Sequence, residues 1–153
     1  LNLVQPEVTK LFFGCGLPVP EKLKGCRILD LGSGSGRDCY ALSKLVDETG
    51  HVTGIEMTEE LILVSRKYIQ YRQEKIGFEK PKTTFLQGYM EKLTAAGIEN
   101  DYGYHSVNCV ICLCPDKKMV LREAYKVLNE GGELYFSDMN ASNVVPDHLK
   151  EDP

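Results

Sequence analysis

Short apolar runs alternate with longer amphipathic segments along this chain. That alternation is the signature of an α/β fold built on parallel strands. Arg27 to Leu31 (RILDL) reads as a buried strand, followed by a glycine-rich loop and a helix from Arg37 to Val46 whose face carries Leu42, Leu45 and Val46. His51 to Glu56 reads as a second strand. Glu59 to Ile76 reads as one long helix, with an apolar stripe through Leu61, Val64, Tyr68 and Ile69, closed by Gly77. Thr83 to Gln87 gives a third strand and Ser106 to Leu113 a fourth. A helix follows from Asp116 to Leu128, with Pro115 and Asp116 at its start and Gly131 just past its end. Glu133 to Asp138 gives a fifth strand, and the polar stretch after it has no strand pattern.

Right-handed crossovers between such strands predict a Rossmann-like, doubly wound, mostly parallel sheet, with ligands bound beyond the carboxyl ends of the strands where the winding reverses. The chain's 153 residues, 42% hydrophobic and 26% charged, suit one domain spanning 1–153 and not two. A formal charge of −4 provides no basic footprint for nucleic acid or anionic lipid. No apolar run approaches the ~20 residues of a membrane helix, and the opening residues lack signal-peptide grammar, so the expected address is cytoplasmic. Beginning at Leu1 and stopping at Glu151, Asp152 and Pro153 soon after a strand, the chain reads as an excerpt.

The informative loop is Asp30-Leu31-Gly32-Ser33-Gly34-Ser35-Gly36, placed directly between a strand and a helix. Its spacing is G-x-G-x-G. The sixth position of a dinucleotide fingerprint holds Arg37, too bulky for the close helix packing of the third glycine, which weakens a nicotinamide-dependent oxidoreductase as the alternative. Glu56 lies at the end of the second strand, where a carboxylate accepts hydrogen bonds from both ribose hydroxyls of an adenosine.

Six cysteines (Cys15, Cys26, Cys39, Cys109, Cys112 and Cys114) are expected to be free thiols in a chain of this size without an export signal. Cys109 lies near the end of the fourth strand and Cys15 sits between two glycines upstream of the first, so both could border one pocket. Each reads equally as a small buried hydrophobe. The C-x-x-C and C-x-C spacings of Cys109, Cys112 and Cys114 fall short of a zinc pattern, because no second pair exists and Val110, Ile111 and Leu113 look core-like. His51, His105 and His148 have no ligand-like spacing.

The loop and its acid resemble the class I S-adenosylmethionine-dependent methyltransferases. In these the acid before the first glycine, here Asp30, and the loop (Gly32, Ser33, Gly34, Gly36) hold the methionine portion, while the stretch from Gly88 through Tyr89, Met90 and Glu91 flanks the adenine. FFGCGLPVPEKL, CRILDLGSGSGRDCYALSKLV, HVTGIEMT, GYMEKL, NCVICLCPDKK and VLNEGGELYFSD together resemble the arsenite methyltransferase family across nearly the whole chain. The resemblance implies a sheet of seven strands whose last members are missing here, S-adenosylmethionine as cofactor, and arsenite or its thiol conjugates as substrate. It also implies thioredoxin or glutathione as reductant and a role in arsenic detoxification. It makes Cys15 and Cys109 the thiolates that hold trivalent arsenic, with Phe13, Glu56, Met57, Thr58, Gln87, Asn108 and Val110 lining the methyl donor. The family's downstream and upstream arsenic thiols fall outside this chain, so a donor-binding module without arsenic transfer stays open. DYGYHS (101–106) looks short and weakly apolar for a fourth strand, which is expected to be distorted or to begin late.

Overall fold

The computed structural model describes residues 4–16, 19–144 and 146. The expectations placed on Leu1, His148 and 151–153 lie outside these residues. The described elements are α1 (Pro6–Lys10), β1 (Arg27–Leu31), α2 (Arg37–Leu42), β2 (His51–Glu56), α3 (Glu59–Lys67), α4 (Ile69–Ile76), β3 (Thr83–Gln87), β4 (Tyr102–Asn108), α5 (Lys117–Val127) and β5 (Leu128–Ser137). Short 3₁₀ turns cover Met90–Lys92, Thr94–Ala96 and Ile111–Leu113. The strands form one parallel sheet in the order β3-β2-β1-β4-β5. The winding reverses between β1 and β4, as the doubly wound reading requires.

The two-residue alternation of β1 builds two cores. Leu29 and Leu31 join Ile55, Val107, Val120, Ala124 and Val127 under α5. Ile28 faces the other way, with Val52, Phe85, Tyr104, Tyr40 and Leu42 under α2 and α3. Gly36 makes the second core possible. It caps α2 at φ +87°, and a Cβ there would come within 2.6 Å of the Phe85 ring. The close helix packing that the dinucleotide fingerprint assigns to its sixth position is therefore supplied here one residue earlier.

Several boundaries differ from the sequence expectation. α2 ends at Leu42, not Val46, the chain continuing through tight turns in which Leu45 is exposed. The long helix divides at Tyr68 (φ −106°, ψ 6°), whose hydroxyl and neighbouring Lys67 both engage Glu7 of α1. Its apolar stripe runs across the break because Val64, Tyr68 and Ile69 still face the second core.

β4 begins early, at Tyr102, and stops at Asn108. The apolar Val110-Ile111-Leu113 run mimics a continuing strand, but Cys109 takes a left-handed φ of +55° and turns the chain into a 3₁₀ turn. Leu113 is consequently exposed. The expected distortion is present as a register shift between Tyr102 and Tyr104 against β5. This bulge places Tyr102 in the first core and Tyr104 in the second. α5 starts one residue late, because Asp116 is its N-cap and accepts from the Met119 amide at 2.9 Å. β5 starts at Leu128, and among the described residues no strand follows it.

Candidate active site

Two adjoining cavities open at the carboxyl ends of β1, β2 and β4. They share Gly32, Glu56, Leu61, Val110 and Leu113. The first, about 630 Å³ with its open mouth, is also lined by Asp30, Asp38, Asn108, Cys109 and the segment from Leu11 to Gly14. The second, about 1130 Å³, is lined by Met57, Thr58 and Tyr89 to Glu91, with Cys114 and Pro115 behind them.

The glycine loop is pinned to β2 by the amides of Gly32 and Ser33, which both donate to the Ile55 carbonyl at 2.9 Å. Gly32 has φ +70°, and a Cβ on it would fall 2.6 Å from a Val110 methyl, so only glycine lets the end of β4 close onto the loop. Glu56 accepts from the Gly34 amide at 3.0 Å and the Thr58 amide at 2.8 Å. A carboxylate has about four lone-pair sites, so two stay open toward the cavities. The buried Ser33 hydroxyl has no partner and belongs to a cavity-lining residue.

Three nearly buried acids, Asp30, Asp38 and Glu56, surround the first cavity. Burial, reinforced by the negative charge of Asp38, pushes the Asp30 carboxyl up to about 8. The Cys39 thiol donates to Asp30 Oδ2 at 3.2 Å and opposes that rise. Burial also raises Asp38, against the hydrogen bond from Asn108 and the charge of Arg37. A cavity walled by acids in this state is electrostatically suited to a cation.

The segment from α1 to Gly16 lies as a strap across this wall. Ser35 Oγ donates to the Val8 carbonyl at 2.8 Å, and the Arg37 guanidinium sits 3.6 Å from the Phe12 ring centroid. At the far end, Cys15 and Cys109 are joined in a disulfide with a Cα–Cα distance of 6.0 Å. This corrects the expectation of six free thiols. Cys26, Cys39, Cys112 and Cys114 are free. The strap brings two residues 94 positions apart within the 4.4–6.8 Å that a disulfide spans, a proximity that sequence spacing does not encode.

Of the other expected residues, Gly36 packs against Phe85 and lines neither cavity, and Gln87 is an exposed strand end paired in register with Glu56. Phe13 is 84% exposed at the cavity rim. Met90 serves both a core and a cavity, its sulfur 3.4 Å from Cys114 Sγ. Asp38, Phe12, Leu61 and Leu113 were not anticipated. Asp38 had one signal, an acid in the first turn of the helix that follows the glycine loop. Among the described residues, no group of three His, Cys, Asp or Glu side chains could hold a metal ion, and no helix is long and apolar enough to cross a membrane.

A methyltransferase-domain profile matches residues 22–153. The chain belongs to the methyltransferase-domain family. Within it, the chain is 56% identical to the arsenite methyltransferase of Mus musculus over 151 residues, covering 98% of this chain and 40% of that protein. It is 46% identical to the arsenite methyltransferase of Aquipseudomonas alcaligenes, covering 99% and 44%. The chain thus spans about two fifths of the length of the curated relatives it matches. The crystal structure of an arsenic(III) S-adenosylmethionine methyltransferase from Chlamydomonas reinhardtii superposes with a TM-score of 0.92 at 45% identity, covering 96% of this chain and 50% of that one. A methyltransferase from Aquifex aeolicus shares the fold at 21% identity, with a TM-score of 0.64 over 82% of this chain and 64% of that one. Family membership accounts for the Rossmann-like sheet.

Proposed function

We propose that this chain is the methyl-transfer core of an arsenite methyltransferase. In this reading it binds S-adenosylmethionine in the two adjoining cavities and presents trivalent arsenic on the thiolates of Cys15 and Cys109. The observation that carries the reading is the position of that sulfur pair: Cys109 lines a cavity floored by a glycine loop and surrounded by acids, and Cys15, exposed and lining neither cavity, is joined to it from the strap.

The residues fit the cofactor. Gly32 leaves backbone room, Ser33 offers an unpartnered hydroxyl, and Glu56 retains acceptor capacity. Bound there, S-adenosylmethionine would supply an electrophilic methyl group on a positively charged sulfur. Asp30 and Asp38 provide the complementary charge, Glu56 accepts from ribose hydroxyls, and Met57, Thr58, Met90 and Glu91 border the nucleoside. Val110, packed over Gly32 where both cavities meet, limits water at the reacting centre, and Phe13 stands exposed at the rim.

Cys15 and Cys109 are holders, not nucleophiles. Arsenic bound by two thiolates keeps a lone pair, so the acceptor loses no proton and needs no general base. No histidine lines either cavity. The disulfide has to be reduced first. Two electrons and two protons convert it to two thiols, which lose their protons as arsenic binds. A dithiol reductant such as thioredoxin, or two equivalents of glutathione, meets that need. Such chemistry suits a cytoplasmic protein acting in arsenic detoxification.

The decisive experiment incubates the reduced chain with arsenite and S-adenosylmethionine and quantifies methylated arsenic, beside Cys109→Ser and a longer chain containing the downstream region. Methylated arsenic that disappears in Cys109→Ser supports the reading. Unchanged turnover in that variant removes Cys109 from the chemistry. The joined state of Cys15 and Cys109 favours a second reading, a donor-binding module that stays oxidised. Donor binding without product, even in the longer chain, would select it.

A further inference from the structure

We propose that Asn108 is a positioning residue whose side chain holds Cys15 in register with Cys109. The Asn108 amide is almost fully committed. Its Oδ1 accepts from the Cys15 backbone amide at 3.0 Å. Its Nδ2 donates to the Gly16 carbonyl at 2.6 Å and to Asp38 Oδ2 at 2.9 Å. A primary amide has only two N–H donors, so none is left for a ligand.

The three bonds tie together the parts that determine where the sulfurs sit. Asn108 is the last residue of β4 and the immediate neighbour of Cys109. Cys109 is fixed in turn by its own amide, which donates to the Ser137 carbonyl at 2.7 Å, and by its left-handed backbone. Across the gap, the backbone of Cys15 itself and of Gly16 after it is gripped by one side chain. Asp38 anchors that side chain to the first turn of α2.

Gly14 completes the fit. A Cβ at this position would lie 2.4 Å from Asn108 Nδ2 and 2.5 Å from the Phe12 ring. The small residue before Cys15 is thus required by the latch itself. Asp38 lines the first cavity, so the same amide also connects the cavity wall to the sulfur pair.

Holding two thiols in one geometry raises their effective concentration toward each other and toward any atom both must grip. The latch therefore favours the disulfide in the oxidised chain and two-point capture of trivalent arsenic in the reduced one. This deepens the arsenic reading and rests on it for that consequence, but the following experiment reads sulfur chemistry alone.

The chain is equilibrated in mixtures of reduced and oxidised glutathione, where two glutathione thiols and the Cys15–Cys109 disulfide exchange with two protein thiols and one glutathione disulfide. Acid quenching, alkylation and peptide mass mapping give the disulfide fraction. Asn108→Ala is expected to move the equilibrium toward the dithiol by tenfold or more. Gly14→Ala, which disturbs the same latch from the strap side, moves it in the same direction and covers the case in which Asn108→Ala fails to fold. Glu7→Gln weakens the attachment of α1 to α3 without touching the latch and is expected to shift the equilibrium less than twofold. Equilibria for Asn108→Ala and Gly14→Ala within twofold of the parent would overturn the proposal. So would a Glu7→Gln shift equal to theirs, which would mean that general strap attachment sets the register. None of these outcomes depends on methylation activity.

Discussion

Replacing Asp30 with asparagine should make the cofactor-free chain more stable at neutral pH while weakening its hold on a cationic donor. The carboxyl is buried at the end of β1, and burial with the nearby Asp38 charge raises it from 3.8 to about 8. A folded-state value above the unfolded one means that the folded chain binds the proton more tightly. The stability this brings is complete below pH of about 4 and is lost as pH rises through about 8. At pH 7 the cost of keeping the acid buried has a ceiling of about 4 kcal/mol, from roughly 1.4 kcal/mol per pH unit. Asparagine keeps the shape and an oxygen for the Cys39 thiol but carries no charge, and its new N–H group consumes part of the gain. About 2 kcal/mol should remain, a rise in melting temperature of about 4–8 °C for a domain of this size. Thermal melts of both proteins from pH 4 to pH 8 check this, with the curves converging at the acid end. Calorimetric titration with S-adenosylmethionine should show parent affinity climbing toward pH 8 as a bound cation draws the Asp30 proton off, and a weaker, flat profile for Asp30→Asn. Equal melting temperatures at pH 8, or parallel affinity profiles, would refute the electrostatic argument.

Cys39→Ala removes the thiol that donates to Asp30 Oδ2, so the midpoint of the parent's affinity profile should move to higher pH, and Cys39→Ser should restore it. Gly32→Ala places a Cβ 2.6 Å from a Val110 methyl at φ +70° and should lower S-adenosylmethionine affinity at least tenfold in the same titration. His105, buried in β4 with neither ring nitrogen partnered, is held down to about 4 by burial. Its folded value lies below 6.5, so the stability it supports is present above that pH and lost as pH falls through about 4. His105→Phe should shift the acid-unfolding midpoint, followed by circular dichroism, to lower pH.

Three strands of the sheet were legible: β1 and β2 as short buried stretches, and the edge strand β3 by its alternation of buried and exposed positions. β1, β2 and β3 fall on the boundaries that RILDL, HVTGIE and TTFLQ suggest. β4 was not, for two local reasons. The bulge at Gly103 breaks its alternation, and apolar residues continue past Asn108 although the left-handed Cys109 has already ended the strand. The glycine loop and Glu56 were readable because they are consecutive features of one strand-loop-helix-strand unit. The Asn108 contacts with Asp38 and Cys15 bridge 70 and 93 residues, and the disulfide bridges 94, so their partners are set by the packing of α2 beside β4 and by the path of the strap and leave no local pattern.

The most direct measurement of the central claim is thiol protection by arsenite. The reduced chain, saturated with S-adenosylmethionine, is mixed with one equivalent of arsenite, alkylated, and mapped by peptide mass beside an unreduced sample. Cys15 and Cys109 should be shielded together while Cys26 and Cys112 are labelled as without arsenite, and the unreduced chain should retain no arsenic. Shielding of any other pair, or equal arsenic retention by the unreduced chain, would contradict a sulfur-held substrate at the edge of the donor cavity.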